Sequence, residues 1–339
     1  MNLDILSGSA ITTISGTIGV TTPLTTLDIQ QSGTGGVTLG NDIGVNGTTG
    51  VGTINIGSSA TTGTIILGGD IYHTATATYS ADNFSITNTD PLFKTTNRPV
   101  AFNTGPSTGT VTLADVADLS VQTGSGTITF GGNIIGTDGG VSTDVTLSTT
   151  GVVNIKNIGA NDDINDVTIN GTTINTDGTI KTAVVSASDD TAGNVTLTGA
   201  VNLSGNTTIN TATGGGTVGV VGTIDGGNTL TITSGAGNVD ISGIIGGSTA
   251  VGNTAINDSA GAGTIDLVGI GDADAAAGVD GTLDIGNTNT SEVEFDGINY
   301  KASGNVTVES ASGEKIKFTD CLLYTSPSPR DLSTSRMPS

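Results

Sequence analysis

The chain is poor in the residues on which most enzymes and disulfide-bonded domains depend. Among its 339 residues there are one cysteine, one histidine, no tryptophan and 3% aromatic residues. A single cysteine excludes a disulfide framework within the chain. Catalysis by a Ser–His–Asp or Cys–His arrangement would have to use His73, which we expect at the surface. The sequence therefore predicts a non-catalytic protein.

Positive charge is also scarce. Charged residues make up 12% of the chain, and 9 Lys and Arg face 31 Asp and Glu, for a net charge of −22. Such a chain repels phosphate backbones, so we expect no nucleic-acid partner. It has no basic cluster for anionic lipid, and no apolar run approaches the roughly 20 residues that span a bilayer. We expect no membrane span.

Residues 321–339 resemble translated sequencing adapter rather than protein. The adapter of transposase-based library preparation, read in one frame, encodes CLLYTSPSPRD, which is the sequence of residues 321–331. A later adapter stretch encodes SRMPS, the sequence of residues 335–339. We leave these residues out of fold reasoning. Residues 1–320 then hold seven basic and thirty acidic residues, for a net charge of −23, and no cysteine.

What fills the chain is glycine, threonine, asparagine and short apolar–polar–apolar triplets. Glycine alone accounts for 54 residues. Alternation with a period of two predicts β-strands, and flanking Gly and Asn supply turns with positive φ. Examples of these triplets are Val37–Leu39, Ile54–Ile56, Val111–Leu113, Val145–Leu147, Val167–Ile169, Val195–Leu197, Leu230–Ile232, Val239–Ile241 and Ile265–Leu267.

The spacing of the triplets selects one architecture among all-β folds. Val145 and Val167 lie 22 residues apart, and Val195, Val218 and Val239 follow at similar intervals. A period in the low twenties predicts an all-β parallel solenoid of about 22 residues per coil over 1–71 and 109–320. About fourteen coils at 4.8 Å would make a rod about 65 Å long. A β-sandwich, the alternative, would need longer strands and hairpin turns.

Residues 72–108 interrupt this pattern. They hold five of the nine aromatic residues that precede position 321, together with His73, Arg98 and three prolines. We interpret the segment as an irregular coil or insertion. It is either a binding loop on the scaffold or, as we favour, a hydrophobic plug between two stretches of solenoid.

Two long stretches, 131–169 (GGNIIGTDGGVSTDVTLSTTGVVNIKNIGANDDINDVTI) and 193–247, resemble the shaft repeats of filamentous-haemagglutinin-type bacterial surface proteins. The resemblance is clear over roughly 110–260 and looser elsewhere. It implies a right-handed parallel β-helix that is exported and displayed or released. It assigns no functional residues. The family's N-terminal secretion domain does not occur in this sequence.

From this resemblance we expect an uncapped shaft fragment of a secreted, adhesin-like protein at the bacterial cell surface. Its partners would be host-cell, other-cell or matrix glycans or proteins, and its uncovered ends would associate end to end. Residues 52–69 (GTINIGSSATTGTIILGG) also resemble phage tail-fibre repeats. A trimeric fibre segment is therefore an alternative, and a polysaccharide-acting β-helix enzyme is a more remote one.

Paired carboxylates are the residues that such an enzyme would need. Asp162 with Asp163, or Asp189 with Asp190, could form an acid–base pair of the kind that cleaves glycosidic bonds. Aspartate is also favoured at turns, and we expect these four residues at the corners of coils.

Calcium is the one metal that the sequence suggests. Asp272, Asp274 and Asp280 lie within GIGDADAAAGVDG (269–281), and oxygen-rich flexible loops suit Ca²⁺. The spacing departs from the EF-hand pattern, because Ala276 and Leu283 stand at its fifth and twelfth positions. We carry the three aspartates forward as a candidate calcium site and expect no other cofactor.

Overall fold

A computed structural model describes residues 1–31, 33–47, 50–104, 109–137, 143–160, 164–182, 193–211, 215–257, 261–272 and 278–319. All regular secondary structure in these ranges is β-strand. The first strands are β1 Asn2–Leu6, β2 Thr12–Ile14, β3 Thr26–Gln30, β4 Val37–Leu39, β5 Thr53–Gly57, β6 Thr64–Leu67, β7 Ile71–His73, β8 Ala77–Ala81, β9 Asn83–Ile86 and β10 Leu92–Thr95. The next are β11 Val100–Thr104, β12 Thr110–Leu113, β13 Leu119–Gln122, β14 Ile128–Phe130, β15 Asn133–Ile135, β16 Val145–Ser148, β17 Val152–Ile155, β18 Val167–Lys181 and β19 Val195–Asn210. The last are β20 Val218–Val221, β21 Ile224–Asp225, β22 Leu230–Thr233, β23 Val239–Ile245, β24 Thr254–Ile256, β25 Thr264–Ile270, β26 Leu283–Ile285, β27 Glu292–Phe295, β28 Val306–Val308 and β29 Lys315–Phe318.

The strands stack into a parallel β-solenoid of about 12 turns, with successive turns about 24 residues apart. Every pairing among the described residues is parallel, and each strand between the first and last turns pairs with the chain one turn before and one turn after it. This confirms the predicted solenoid over the sandwich, whose hairpins would pair antiparallel strands.

Each turn contributes one strand or bridge to each of three ladders, which we call ladders I, II and III. Ladder I runs from β1 to Tyr300, ladder II from β2 to β28, and ladder III from Ile18 to β29. The long strands β18 and β19 continue around the corners, so each takes part in all three ladders.

Alternation along each strand sends one side chain into the interior and the next into solvent. Because the pairing is in register, identical residue types stack directly over one another. Ladder II has seven consecutive interior isoleucines, each 2% exposed or less: Ile134, Ile158, Ile180, Ile209, Ile232, Ile256 and Ile285. Burying each such side chain contributes about 1.5–3 kcal/mol.

Residues 71–104 differ from the predicted irregular segment. Their strands continue the ladders: β8 pairs with β5 and β11, and β9 pairs with β6 and β12. The aromatic residues other than Tyr72 fall on interior positions, and the rings stack between turns. Tyr79, Phe102 and Phe130 lie one above the other, with ring centroids 4.9 and 4.8 Å apart. A solenoid interior accepts large rings where consecutive turns all supply them.

Corners are closed by buried hydroxyl groups. The Thr123 hydroxyl donates to the main-chain oxygen of Gly126 at 2.5 Å, and the Ser234 hydroxyl donates to that of Gly237 at 2.5 Å. In both corners the glycine amide donates back to the main-chain oxygen of the Thr or Ser. A Cβ added at Gly237 would overlap the main-chain oxygen of Gly216 in the neighbouring turn. The corner therefore requires glycine at this position.

The turns are less uniform than the predicted spacing of 22 residues. Val153 aligns with Ile174, 21 positions on, whereas Val100 aligns with Ile128, 28 positions on. Strand positions are fixed by the interior, whereas the loops that extend from the corners run over the surface and tolerate insertions. The solenoid therefore has about 12 turns instead of fourteen.

Candidate functional site

Two of the three candidate calcium residues accept hydrogen bonds from residues 301 and 303. The Lys301 ammonium donates to the main-chain oxygen of Asp272, and the Ser303 hydroxyl donates to Asp280 Oδ1 at 2.9 Å. Asp274 lies outside the described residues. Among those that are described, no group of three His, Cys, Asp or Glu side chains is placed to hold a metal. The three-aspartate calcium site stays a prediction.

The candidate carboxylate pairs for glycoside cleavage also lie outside the described residues. Asp162, Asp163, Asp189 and Asp190 all belong to the ranges that the structure leaves out. The idea that they sit at corners stays a prediction too.

Ladder III carries a row of acidic side chains on its outer surface, which we call the carboxylate row. Asp240 aligns with Asp266, and Asp266 aligns with Glu294. Neighbouring strands lie 4.7–4.9 Å apart, so like charges face each other directly. Asp266 Oδ1 is buried and has no hydrogen-bond partner in the described chain.

The pKa values of this row follow from its geometry. Burial raises the pKa of Asp266, and the charges of Asp296, Asp240 and Glu294 raise it further. The next position in the row is Lys317, whose ammonium lies 2.5 Å from Glu294 Oε1. That hydrogen bond lowers the pKa of Glu294 and raises the pKa of Lys317. The row thus ends in a surface ion pair, which contributes little stability.

Ladder I carries a row of side-chain amides on its outer surface. Asn202 donates to Asn175 Oδ1 at 2.9 Å, Asn175 to Asn154 Oδ1 at 2.7 Å, and Asn154 to Thr129 Oγ1 at 3.2 Å. These residues line an open groove of about 470 Å³ with Asp177 and other polar neighbours. The amides bond to one another, so this row stabilises the stack as ladders of Asn do in other β assemblies.

His73 occupies an interior position, although the sequence led us to expect it at the surface. The strand β7 alternates Ile71 inward, Tyr72 outward and His73 inward, and His73 is 3% exposed. Its Nδ1 lies 2.6 Å from the main-chain oxygen of Ala75, and its Nε2 is buried without a partner among the described residues. The signal that could have found it is the period of two itself, which continues through residues 71–73.

The first and last turns expose residues that are interior in every other turn. Val306, Ile316 and Phe318 align with buried residues of the preceding turn, yet they are 55%, 43% and 49% exposed. At the other end, Leu3 and Ile5 are only partly buried, although they align with the fully buried Leu27 and Ile29. Strands β1, β28 and β29 each pair with one described strand only.

No protein-family model, curated protein or solved structure matches this chain. The described residues contain no apolar helix of membrane-spanning length.

Proposed function

We propose that the chain is a structural shaft of a secreted or surface-displayed bacterial adhesin-like protein, which presents binding regions away from the cell without catalysing a reaction. The observation that carries the proposal is the continuity of the three parallel ladders over about 12 turns. Each turn contacts only its neighbours, so the length of the rod grows with the number of turns. Stiffness comes from main-chain hydrogen bonds that run along the axis of the stack.

The outer surfaces of the rod support a passive role. Their aligned side chains are amides, hydroxyls and carboxylates that bond to one another or face solvent, as in the asparagine row of ladder I and the carboxylate row of ladder III. The one histidine of the chain is buried.

Recovering the sequence on both sides of residues 1–320 by long-read sequencing tests this function. We expect the reading frame to continue past position 320 into further turns of 21 to 30 residues, with an export domain upstream or a transporter gene beside it. A frame that ends in a trimeric tip beside tail-assembly genes would overturn the proposal and favour the phage fibre. Light scattering on the purified chain adds a second criterion, because an obligate trimer would also favour the fibre.

A further inference from the structure

The tautomer of His73 follows from its one hydrogen bond. A main-chain carbonyl oxygen can only accept, so the contact with Ala75 places the proton on Nδ1. Nε2 is then a bare acceptor, and the described residues offer it no donor. The neutral imidazole fits this environment, whereas a second N–H at Nε2 would carry a buried positive charge.

The neighbours of His73 in the stack supply no counter-charge. Val51 aligns with it on one side and Thr95 on the other, and the Thr95 hydroxyl is itself buried without a partner in the described chain. The neighbouring charged groups in the stack, Asp42, Asp70 and Lys94, are on outward positions or in the adjoining corner, as is Tyr72. Tyr79 is interior, but burial raises its pKa, so its hydroxyl stays neutral. Asp70 accepts from the Tyr72 hydroxyl at 2.9 Å, so this carboxylate bonds outside the interior.

Burial accordingly lowers the pKa of His73, and the hydrogen bond to Ala75 opposes that effect only in part. A folded-state pKa below the unfolded value means that the folded turn resists protonation. The stability of the turn is therefore complete above the unfolded pKa of about 6.5 and is lost as the pH falls below it.

We propose that His73 makes the turns around β7 and β10 sensitive to acid, so that its protonation opens these turns while the distant turns stay folded. The solenoid permits such local opening because each turn is held only by its neighbours. The inference goes beyond the proposed function, since a passive shaft needs no sensor. The opened turns would expose the adjoining aromatic residues Tyr79, Phe93 and Phe102, which are fully buried in the closed stack.

Hydrogen exchange of the purified full chain at pH 7.5 and pH 5.0 tests the proposal. After correction for the intrinsic exchange rates, we expect protection of the amides in β7 and β10 to fall by up to about 30-fold at pH 5.0. That is the limit for an imidazole that stays neutral in the folded state and has an unfolded pKa of about 6.5. Amides of β19 and β22 should keep their protection. An equal change in both regions would overturn the proposal.

A matched variant identifies the responsible group. His73→Thr suits the position, because Thr95 occupies the same place in the next turn and the buried Thr123 and Thr149 follow at the end of the aligned strands beyond it. We expect this variant to lose the acid effect and Asp70→Asn, the control, to keep it. Persistence of the effect in His73→Thr would overturn the proposal.

A titration of the wild-type chain keeps the proposal falsifiable if His73→Thr does not fold. His73 is the only histidine, so the imidazole Hε1 proton gives a single NMR signal that needs no further assignment. We expect this signal to titrate below pH 6.5, and a midpoint at or above the ordinary value would overturn the proposal.

Discussion

At the scale of single residues, stability depends on which side of a strand a side chain occupies. Phe102 and Phe318 are both phenylalanines on interior positions, but Phe102 is fully buried and contacts four other rings, whereas Phe318 in the last turn is 49% exposed. The same chemical group therefore contributes very differently in the two turns.

Phe102→Ala should destabilise the central turns by about 3–5 kcal/mol, because it removes a fully buried ring and leaves a cavity. Local hydrogen exchange in β8, β11 and β14 is the measurement, since a stack of turns need not unfold in one step. Phe318→Ala is the control and should cost much less. Equal losses in the two variants would show that the aromatic cluster does not stabilise the stack.

For the carboxylate row we predict that stability falls as the pH rises, which is the opposite of the dependence predicted for His73. The raised pKa of Asp266 means that the folded chain binds this proton more tightly than the unfolded chain. Its ionisation therefore costs stability as the pH rises from below about 3.9, the ordinary value, through the raised folded-state pKa. Asp266→Asn should increase the protection of β23, β25 and β27 at pH 7.

The difference between Asp266→Asn and the wild type should vanish below about pH 3, where the carboxyl group is protonated in both states. A variant that is less stable than the wild type at pH 7 would contradict the repulsion that we infer from the alignment of Asp240, Asp266 and Glu294.

At the scale of strands and corners, the sequence predicted the strands better than the corners. Triplets such as Val145–Leu147 and Val167–Ile169 were identified correctly because a period of two reports directly on which side chains are interior. Corner length carries no such signal, so the spacing of 19 to 29 residues between aligned strands could not be read from the triplets.

Residues 71–104 show why the aromatic turns were misread. Pro91 and Pro99 suggested broken strands, but each stands immediately before a strand, where its main-chain oxygen accepts from Ser120 or Ala77 in a neighbouring turn. Proline is tolerated at the start of a strand because no ladder donor is needed there. The burial of His73 was missed for the same reason, since the strand around it was not recognised.

Ser234→Ala tests the role of the buried hydroxyl groups in corners. The Ser234 hydroxyl donates to Gly237 and accepts from Asn257 Nδ2 at 2.9 Å, so its loss leaves two buried polar groups without this partner. We expect a cost of about 1–3 kcal/mol in the local stability of β22 and β24. Ser242 is an exposed serine in the next strand, β23. The control Ser242→Ala should change stability by less than about 0.5 kcal/mol. Equal small effects would contradict the account of the corners.

At the scale of the whole molecule, a stack of turns is weakest and most adhesive at its ends. The uncovered strands β1, β28 and β29 present main-chain groups and apolar side chains that another strand could cover. A second copy that stacks on this end would form a head-to-tail contact, which extends into a filament.

Val306→Lys should therefore reduce concentration-dependent association in sedimentation velocity, because it places a charge on the last turn. Val221→Lys is the matched control, since Val221 is 53% exposed on the side of the rod and Val306 is 55% exposed at its end. Strict monomers of the unmodified chain at high concentration, or equal effects of the two variants, would contradict association through the ends.

The central claim is that the chain is a rod whose length is set by the number of stacked turns, and in-phase deletion tests it most directly. Val218 aligns with Val239, so removing residues 218–238 deletes one turn and rejoins the ladders in register. Small-angle scattering should show a folded rod that is shorter by about 4.8 Å. Deleting residues 228–238 removes only part of a turn and should disrupt the stack. Equal behaviour of the two deletions, or an unchanged length after the first, would contradict the account.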